Sequence, residues 1–387
     1  MKKVFSTLFT EMMNIHLIKD PGMIPFTFNN DFGYKSIIPI FKGRKYPYKD
    51  LYFSDIEMPV LPTSKHKLIS NLFCTIWLIK NSKRIDLLNL YFFDRRTWLM
   101  MCIYKKMNPK GLIYIHVDTD GNRLLNYEFS KNPVKSFIAK KVLLNEAVLK
   151  DTFWGIQNSS NAEKLKGRWP FFTIDFIPDG ITWFGETTTL YEYKENVILN
   201  VARLGTRQKN TEKLMEVFKQ ISNEFSEWKL RFVGPIEESF KPFIHDFFIK
   251  NPEMRERIEF VGPIYDRNKL ELEYVAAKIF CLPSSWESFG IAGAESLSKG
   301  CYFIGSRIPS NIQLTQNETL GSLFENENWD DLEEKLRDCL SNESKIKDNF
   351  QKAISFANEH YKWKKILEPV KNWAEEKWRI MDKKSRK

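Results

Sequence analysis

The stretch Ala277-Lys-Ile-Phe-Cys-Leu-Pro-Ser-Ser-Trp-Glu-Ser-Phe-Gly-Ile-Ala-Gly-Ala-Glu-Ser296, followed by Lys299-Gly-Cys-Tyr-Phe-Ile-Gly-Ser306, leaves a chain few ways to fold. Ile279 to Leu282 is a short apolar run stopped by Pro283, which predicts a buried strand. Gly290 to Leu297 predicts a helix ending near Gly300, and Cys301 to Ile304 the next strand. Glu287 falls in the loop at the first strand's carboxyl end, and Glu295 lies roughly 12 Å further along if the turn between them is helical. The N–H groups of Phe289, Gly290 and Ile291 open the helix, where a phosphate or a sugar hydroxyl can accept them, and Gly290 allows close approach. In open α/β sheets the crevice outside the strand ends is where ligands bind.

The same alternation runs from residue 197 to residue 340 and predicts a doubly wound parallel domain. Val197 to Ala202 is its first strand. It leads through Arg203-Leu-Gly-Thr-Arg-Gln-Lys-Asn210 into a helix with Leu214, Val217, Phe218, Ile221 and Phe225 on one face and Asn210 or Thr211 as cap. Cations near a helix start are often only solvated, but Arg203, Lys209 and the helix N-terminus together can form a diphosphate site. Phe-Val-Gly-Pro-Ile occurs at 232–236 and again at 260–264, predicting two parallel strands that lead into turns at the same edge. Ser322 to Glu325 is a short strand before the helix Trp329 to Leu340, and Phe350 to Met381 is one or two long helices.

In the first half, Asn14 to Asp20 has strand character stopped by Pro21-Gly22, and Tyr34 to Phe41 is a second strand closed by Gly43. His16, inside that first pattern, suits a core or surface histidine. Lys65 to Lys83 is a helix with Leu68, Ile69, Leu72, Phe73, Ile76 and Ile79 at helical spacing between basic ends. It either packs on a sheet or presents a basic amphipathic face to a membrane. Further elements are a strand Ile85 to Phe93, a helix Arg95 to Lys106, a helix Val142 to Lys150 and a strand Phe172 to Gly180. The strand from Lys110 ends in His116-Val-Asp118-Thr-Asp120-Gly121, which can be a plain turn or a cation loop, although the later acidic ligands of a calcium loop are missing.

Strand, Pro-Ser, Glu-Ser-Phe-Gly, Glu and Gly-strand together resemble the nucleotide-sugar signature of the retaining glycosyltransferases of family four, the group 1 glycosyl transferases. That resemblance implies the α/β GT-B fold: two Rossmann-like doubly wound domains facing across a cleft, with a C-terminal helix returning to the first. The expected extents are 1–190 for the acceptor-side domain, 195–360 for the nucleotide-sugar domain and 361–387 for the returning helix and basic tail, with a linker at about 183–194. It implies that Glu287 contacts the donor sugar and Glu295 the ribose hydroxyls. Arg203 and Lys209 neutralise the leaving diphosphate. Ser288, Phe289, Gly290 and Ile291 line the donor, and Gly262, Pro263 and Ile264 offer backbone contacts to the base. His116 and Asp118 are similar to the family's His-Asp pair facing the donor sugar, a third reading of that run beside the turn and the cation loop. Gly22 stands where a loop with a pair of glycines faces the acceptor, and Asp179 replaces the Asn of an Ile-Pro-Asn-Gly segment.

A length of 387 residues suits two domains, and 43% hydrophobic residues with 14% aromatics exclude a disordered chain. Five scattered cysteines suggest neither a disulfide framework nor a zinc motif, so the expected compartment is a reducing cytoplasm. No apolar run reaches a membrane span or a signal peptide. The net charge of +10 favours anionic partners; dispersed cations and the lack of a reader motif put nucleic acid last. The expected reaction is retaining transfer of a hexose from a nucleotide diphosphate sugar, UDP ahead of GDP. The acceptor is the hydroxyl of a glycan, lipid-linked or protein substrate, in surface polysaccharide or glycoconjugate synthesis. No metal or cofactor is expected, and peripheral contact with an anionic membrane at its inner face is. The competing expectation is a non-catalytic GT-B partner or glycan-binding subunit.

Overall fold

A computed structural model describes residues 2–92, 94–117, 146–170, 172–185 and 187–385. They form two units, residues 1–182 with 363–387, and residues 183–362.

Among the described residues, the main sheet of the first unit has six parallel strands: β1 (Val4–Thr7), β2 (Lys35–Ile37), β5 (Leu87–Tyr91), β6 (Leu112–Val117), β7 (Thr152–Ile156) and β8 (Thr173–Phe176). Their spatial order is β2-β1-β5-β6-β7-β8, and β3 (Ile40–Phe41) pairs with β4 (Val60–Leu61) in a separate two-stranded sheet. β5, β6 and β7 are buried along their whole length, as strands covered on both faces must be. The helix Trp363–Ser385 belongs to this unit. Its Trp363 indole lies against Gly180 and donates to Thr182 Oγ1 at 3.1 Å, and Trp373 meets Phe153 edge-on with centroids 5.5 Å apart.

Several first-half expectations change. Asn14–Leu17 is a short helix, and Asp20–Asn30 is a second helix with Pro21 and Gly22 in its first turn. A proline lacks the N–H that a helix start leaves unpaired anyway, so Pro21 begins this helix instead of stopping a strand. The first strand is Val4–Thr7. Gly22 is therefore not in a loop. A Cβ there would strike the backbone of Leu17, so the glycine permits one helix to approach the next. The expected strand Tyr34 to Phe41 is broken at Pro39, which cannot donate to a ladder, and its halves join different sheets. Of the expected helix 142–150, residues 146–150 are described; Glu146–Leu149 is helical and Lys150 is in a turn.

The second unit holds β9 (Glu195–Val201), β10 (Lys229–Val233), β11 (Ile258–Gly262), β12 (Ala277–Leu282), β13 (Tyr302–Ser306) and β14 (Gly321–Phe324). Their order, β11-β10-β9-β12-β13-β14 with every pair parallel, is the doubly wound Rossmann order. The repeated pentapeptides are neighbours here. Phe232 pairs with Phe260 in register, their rings stack 5.0 Å apart, and Gly234 N–H donates to Gly262 O at 2.9 Å. On the helix Thr211–Ile221, Leu214, Val217, Phe218 and Ile221 are buried, each contributing about 1.5–3 kcal/mol through removal from water.

Residues 183–194, expected as a linker, are anchored in the second unit. Trp183 Nε1 donates to Ser298 Oγ at 3.0 Å, and the buried Lys194 ammonium donates to the Tyr274 and Ala277 carbonyls at 2.9 and 2.8 Å. Among the described residues no helix is long and apolar enough to cross a membrane.

Candidate functional site

The chain leaves β9 for β10 and β11 on one side, then returns across the sheet to β12, β13 and β14 on the other. The loops after β9 and β12 thus diverge from adjacent strands and open a crevice at the carboxyl edge. Arg203, Lys209 and Asn210 come from the first loop and Glu287, Ser288, Phe289 and Gly290 from the second.

The two loops are laced together. Ser285 N–H donates to Gln208 O at 2.9 Å, Gln208 Nε2 to Trp286 O at 2.7 Å, and Asn210 Nδ2 to Pro283 O at 2.8 Å and Ser285 Oγ at 3.0 Å. Asn210 occupies the helix N-cap position in the left-handed region, φ 49°, but its side chain is spent on this lacing and does not cap. Within the frame, the Lys209 ammonium contacts Glu287 Oε1; the side chains retain 18% and 10% of their exposure. Arg203 pairs with Glu237 at 3.3 Å on the surface, a contact of about 0–1 kcal/mol that an incoming anion can replace. The helix Ile291–Ser298 starts at Gly290, φ 87°, beside Phe289, which is buried against Tyr361. Gly262 also has a positive φ, 84°, with open space where a Cβ would project, and Pro263 beside it is exposed while Ile264 is half-buried.

Glu295 is buried in a network absent from the motif. Arg267 Nη2 donates to its Oε1 at 2.5 Å and Tyr274 Oη to its Oε2 at 2.9 Å. Burial and the Glu295 charge push the Tyr274 hydroxyl well above its ordinary pKa, so it stays a donor. The Trp183 ring lies 4.5 Å from the Arg267 guanidinium and 5.5 Å from the Lys299 ammonium, and Lys299 pairs with the buried Glu271. Only one sequence signal pointed to Arg267: a cation at the first position of the helix Arg267–Ala276, where the helix dipole disfavours it unless an anion is near.

In the first unit His116 is fully buried near the end of β6. Its Nδ1 is 2.7 Å from Tyr114 Oη and its Nε2 3.2 Å from Gln157 Nε2, with Asp20 and Asp179 carboxylates at 3.7 and 3.6 Å. The histidine expected to face a donor sugar is enclosed by side chains of its own unit. Asp118 and Asp120 lie outside the described residues. A cavity of about 80 Å³ lies where this sheet's order reverses, between the loops after β1 and β5, lined by Phe9, Glu11, Phe92, Asp94, Arg96 and Met100. Phe92 there has φ 61°, a conformation costly for an aromatic residue and common at binding sites.

Residues 189–355 match the family described as glycosyl transferases group 1. Over 184 residues the chain is 24% identical to sulfoquinovosyl transferase from Arabidopsis thaliana, covering 47% of this chain and 33% of that protein, so it spans about a third of this relative's length. Among solved structures it resembles a glycosyltransferase from Rickettsia africae (TM-score 0.73, 14% identity, 97% of this chain and 98% of that one). It also resembles sucrose-phosphate synthase from Thermosynechococcus elongatus (0.69, 14%, 98% and 100%) and Anabaena HepE in complex with UDP and glucose (0.68, 11%, 96% and 99%). At these identities the likeness establishes the fold, which is that of GT-B glycosyltransferases.

Proposed function

We propose, from the match of residues 189–355 to the group 1 glycosyl transferases, that the chain moves a hexose from a nucleotide diphosphate sugar, UDP ahead of GDP, to an acceptor hydroxyl with retention. The observation that carries the proposal is the Lys209–Glu287 pair at the point where the second sheet reverses its order. A diphosphate entering that crevice takes Lys209 and Arg203 as counter-ions and the N–H groups at Gly290 and Ile291 as donors, which stabilises the charge on the departing group without metal. Glu287, released from Lys209, accepts a sugar hydroxyl. Gly262, Pro263 and Ile264 carry the backbone edge that meets the base.

Each oxygen of the Glu295 carboxylate has two lone pairs, so Glu295 can still accept ribose hydroxyls while Arg267 and Tyr274 hold it in place. Acceptor attack on the face the diphosphate leaves, with a phosphate oxygen taking the acceptor's proton, gives retention without the carboxylate nucleophile that a retaining glycosidase uses.

The cavity beside Phe92 is the proposed acceptor pocket, for a glycan or lipid-linked hydroxyl of surface polysaccharide or glycoconjugate synthesis. The helix Lys67–Asn81 supports peripheral contact with an anionic membrane. Leu68, Ile69, Leu72, Ile76 and Ile79 are exposed along it, and residues 65–84 hold Lys65, Lys67, Lys80, Lys83 and Arg84 with no Asp or Glu. Free thiols at all five cysteines support a reducing, cytoplasmic side.

The deciding experiment is thermal denaturation with UDP, GDP and ADP, each with and without chelator, followed by anomeric analysis of the product formed from the stabilising nucleotide's sugars. Stabilisation that survives chelation supports the donor site. The absence of a shift with every nucleotide would move the protein to a non-catalytic, glycan-binding role.

A further inference from the structure

Four polar side chains of the first unit converge where the end of β6 meets the helix Asp20–Asn30 and the loop after β8. Asp20, His116 and Asp179 each contribute one donor atom, and these atoms lie within 4.8 Å of one another. The residues keep 7%, 0% and 4% of their exposure. Gln157, at 1%, completes the group: its Nε2 is 3.2 Å from His116 Nε2 and 2.9 Å from Asp179 Oδ1, while its Oε1 is buried with no hydrogen-bond partner.

An imidazole nitrogen beside two carboxylate oxygens is a donor set suited to first-row divalent cations. The ring is already held as a ligand's would be. Tyr114 Oη, 2.7 Å from Nδ1, can accept an N–H there, and in that tautomer the Nε2 lone pair is left on the side where the Asp20 and Asp179 carboxylates lie at 3.7 and 3.6 Å. A divalent charge balances two buried carboxylates, which are costly to keep ionised in the interior. A half-turn of the Gln157 amide exchanges the Nε2 bond to Asp179 for an Oε1 among the other donors, where a cation can take it.

We propose that Asp20, His116 and Asp179 bind a divalent transition cation of the zinc or manganese class, with Gln157 Oε1 as a further ligand. The cation staples the start of the helix Asp20–Asn30, the end of β6 and the loop carrying Asp179. All four ligands come from the first unit.

Protein purified without chelator is assayed for bound metal, then stripped and titrated with Zn²⁺, Mn²⁺ and Mg²⁺ while its melting temperature is followed. Expected are near-stoichiometric retention of a transition metal and a rise of several degrees with Zn²⁺ or Mn²⁺, with little from Mg²⁺ because imidazole suits it poorly. His116→Ala and Asp179→Asn, checked for native circular dichroism, lose both responses. Gln157→Glu covers the case in which those variants fail to fold: it adds a charged ligand, so cation affinity rises tenfold or more. No bound metal together with no shift in the wild type overturns the site. A shift that persists in His116→Ala, or a Gln157→Glu protein destabilised equally with and without cation, does the same.

Discussion

Lys209 and Glu287 meet from loops that follow adjacent strands of opposite winding direction, and each is the other's nearest counter-charge in a crevice where both are mostly buried. Glu287→Gln is expected to lower kcat roughly 10²–10³-fold, the scale for loss of an oriented polar contact to a transition state. Lys209→Met should lower it at least as far. Steady-state rates with circular dichroism as a fold control check both, and Glu287→Gln at wild-type rate would remove Glu287 from the reaction.

Glu295→Ala is expected to do two things at once. It removes a ribose acceptor, weakening nucleotide binding about tenfold or more on the scale of a charged hydrogen bond, and it takes the Glu295 carboxylate from the buried Arg267 guanidinium, a loss of up to about 3–5 kcal/mol. Glu295→Gln keeps the shape and separates the effects. Calorimetric titration of UDP into the folded variants tests the first, and denaturant midpoints test the second; unchanged nucleotide affinity in both variants would detach Glu295 from the donor.

Leu68 and Leu72 on the helix Lys67–Asn81 are exposed, so Leu68→Glu with Leu72→Glu should leave the melting temperature within a degree or two of wild type. Sedimentation with anionic vesicles should fall about tenfold or more, since each substitution removes apolar burial and adds repulsion. Equal binding of wild type to neutral and anionic vesicles would argue against the basic ends taking part.

A methyl group at residue 180 would lie 2.5–2.7 Å from the Trp363 ring. Gly180→Ala is therefore expected to cost about 1–3 kcal/mol through overpacking. Urea unfolding followed by tryptophan fluorescence measures it, and a stability equal to wild type would show that the ring can move aside.

Acid should loosen the β2 end of the first sheet. The Arg84 guanidinium, in a fork of 3.0 and 2.8 Å bonds, holds the Glu57 carboxyl below its ordinary pKa, with Lys35 assisting. A depressed folded pKa stabilises above the unfolded value and is lost as pH falls through the folded one. Because the pair is partly exposed, the amount is under about 1 kcal/mol. Glu57→Gln should flatten the stability–pH curve between the ordinary glutamate pKa and the lower folded one, and an unchanged curve would show that the pair contributes nothing.

The doubly wound class was legible because strands and helices of the second unit alternate with clear periods, and the two Phe-Val-Gly-Pro-Ile copies announce equivalent strands. The start of the chain was not. Ile15, Leu17 and Ile18 fit a strand or a helix equally in so short a run, and Pro21 is as much a helix opener as a strand stop. Lys209 and Glu287 could be read from their motifs, but that Arg267 and Tyr274 close on Glu295, or that Asp20 and Gln157 surround His116, depends on contacts between residues far apart in sequence.

The helix Trp363–Ser385 packs in the unit that begins at the amino terminus, while residues 183–362 form the other. On a ribosome the first sheet is thus fully synthesised long before the helix that covers it, whereas the second unit is contiguous and can fold as soon as it emerges. Apolar surface around Tyr34 and Phe153, which Trp378 and Trp373 later cover, stays open through that interval. Until Trp363–Ser385 is made, that apolar surface is open to contact with other chains.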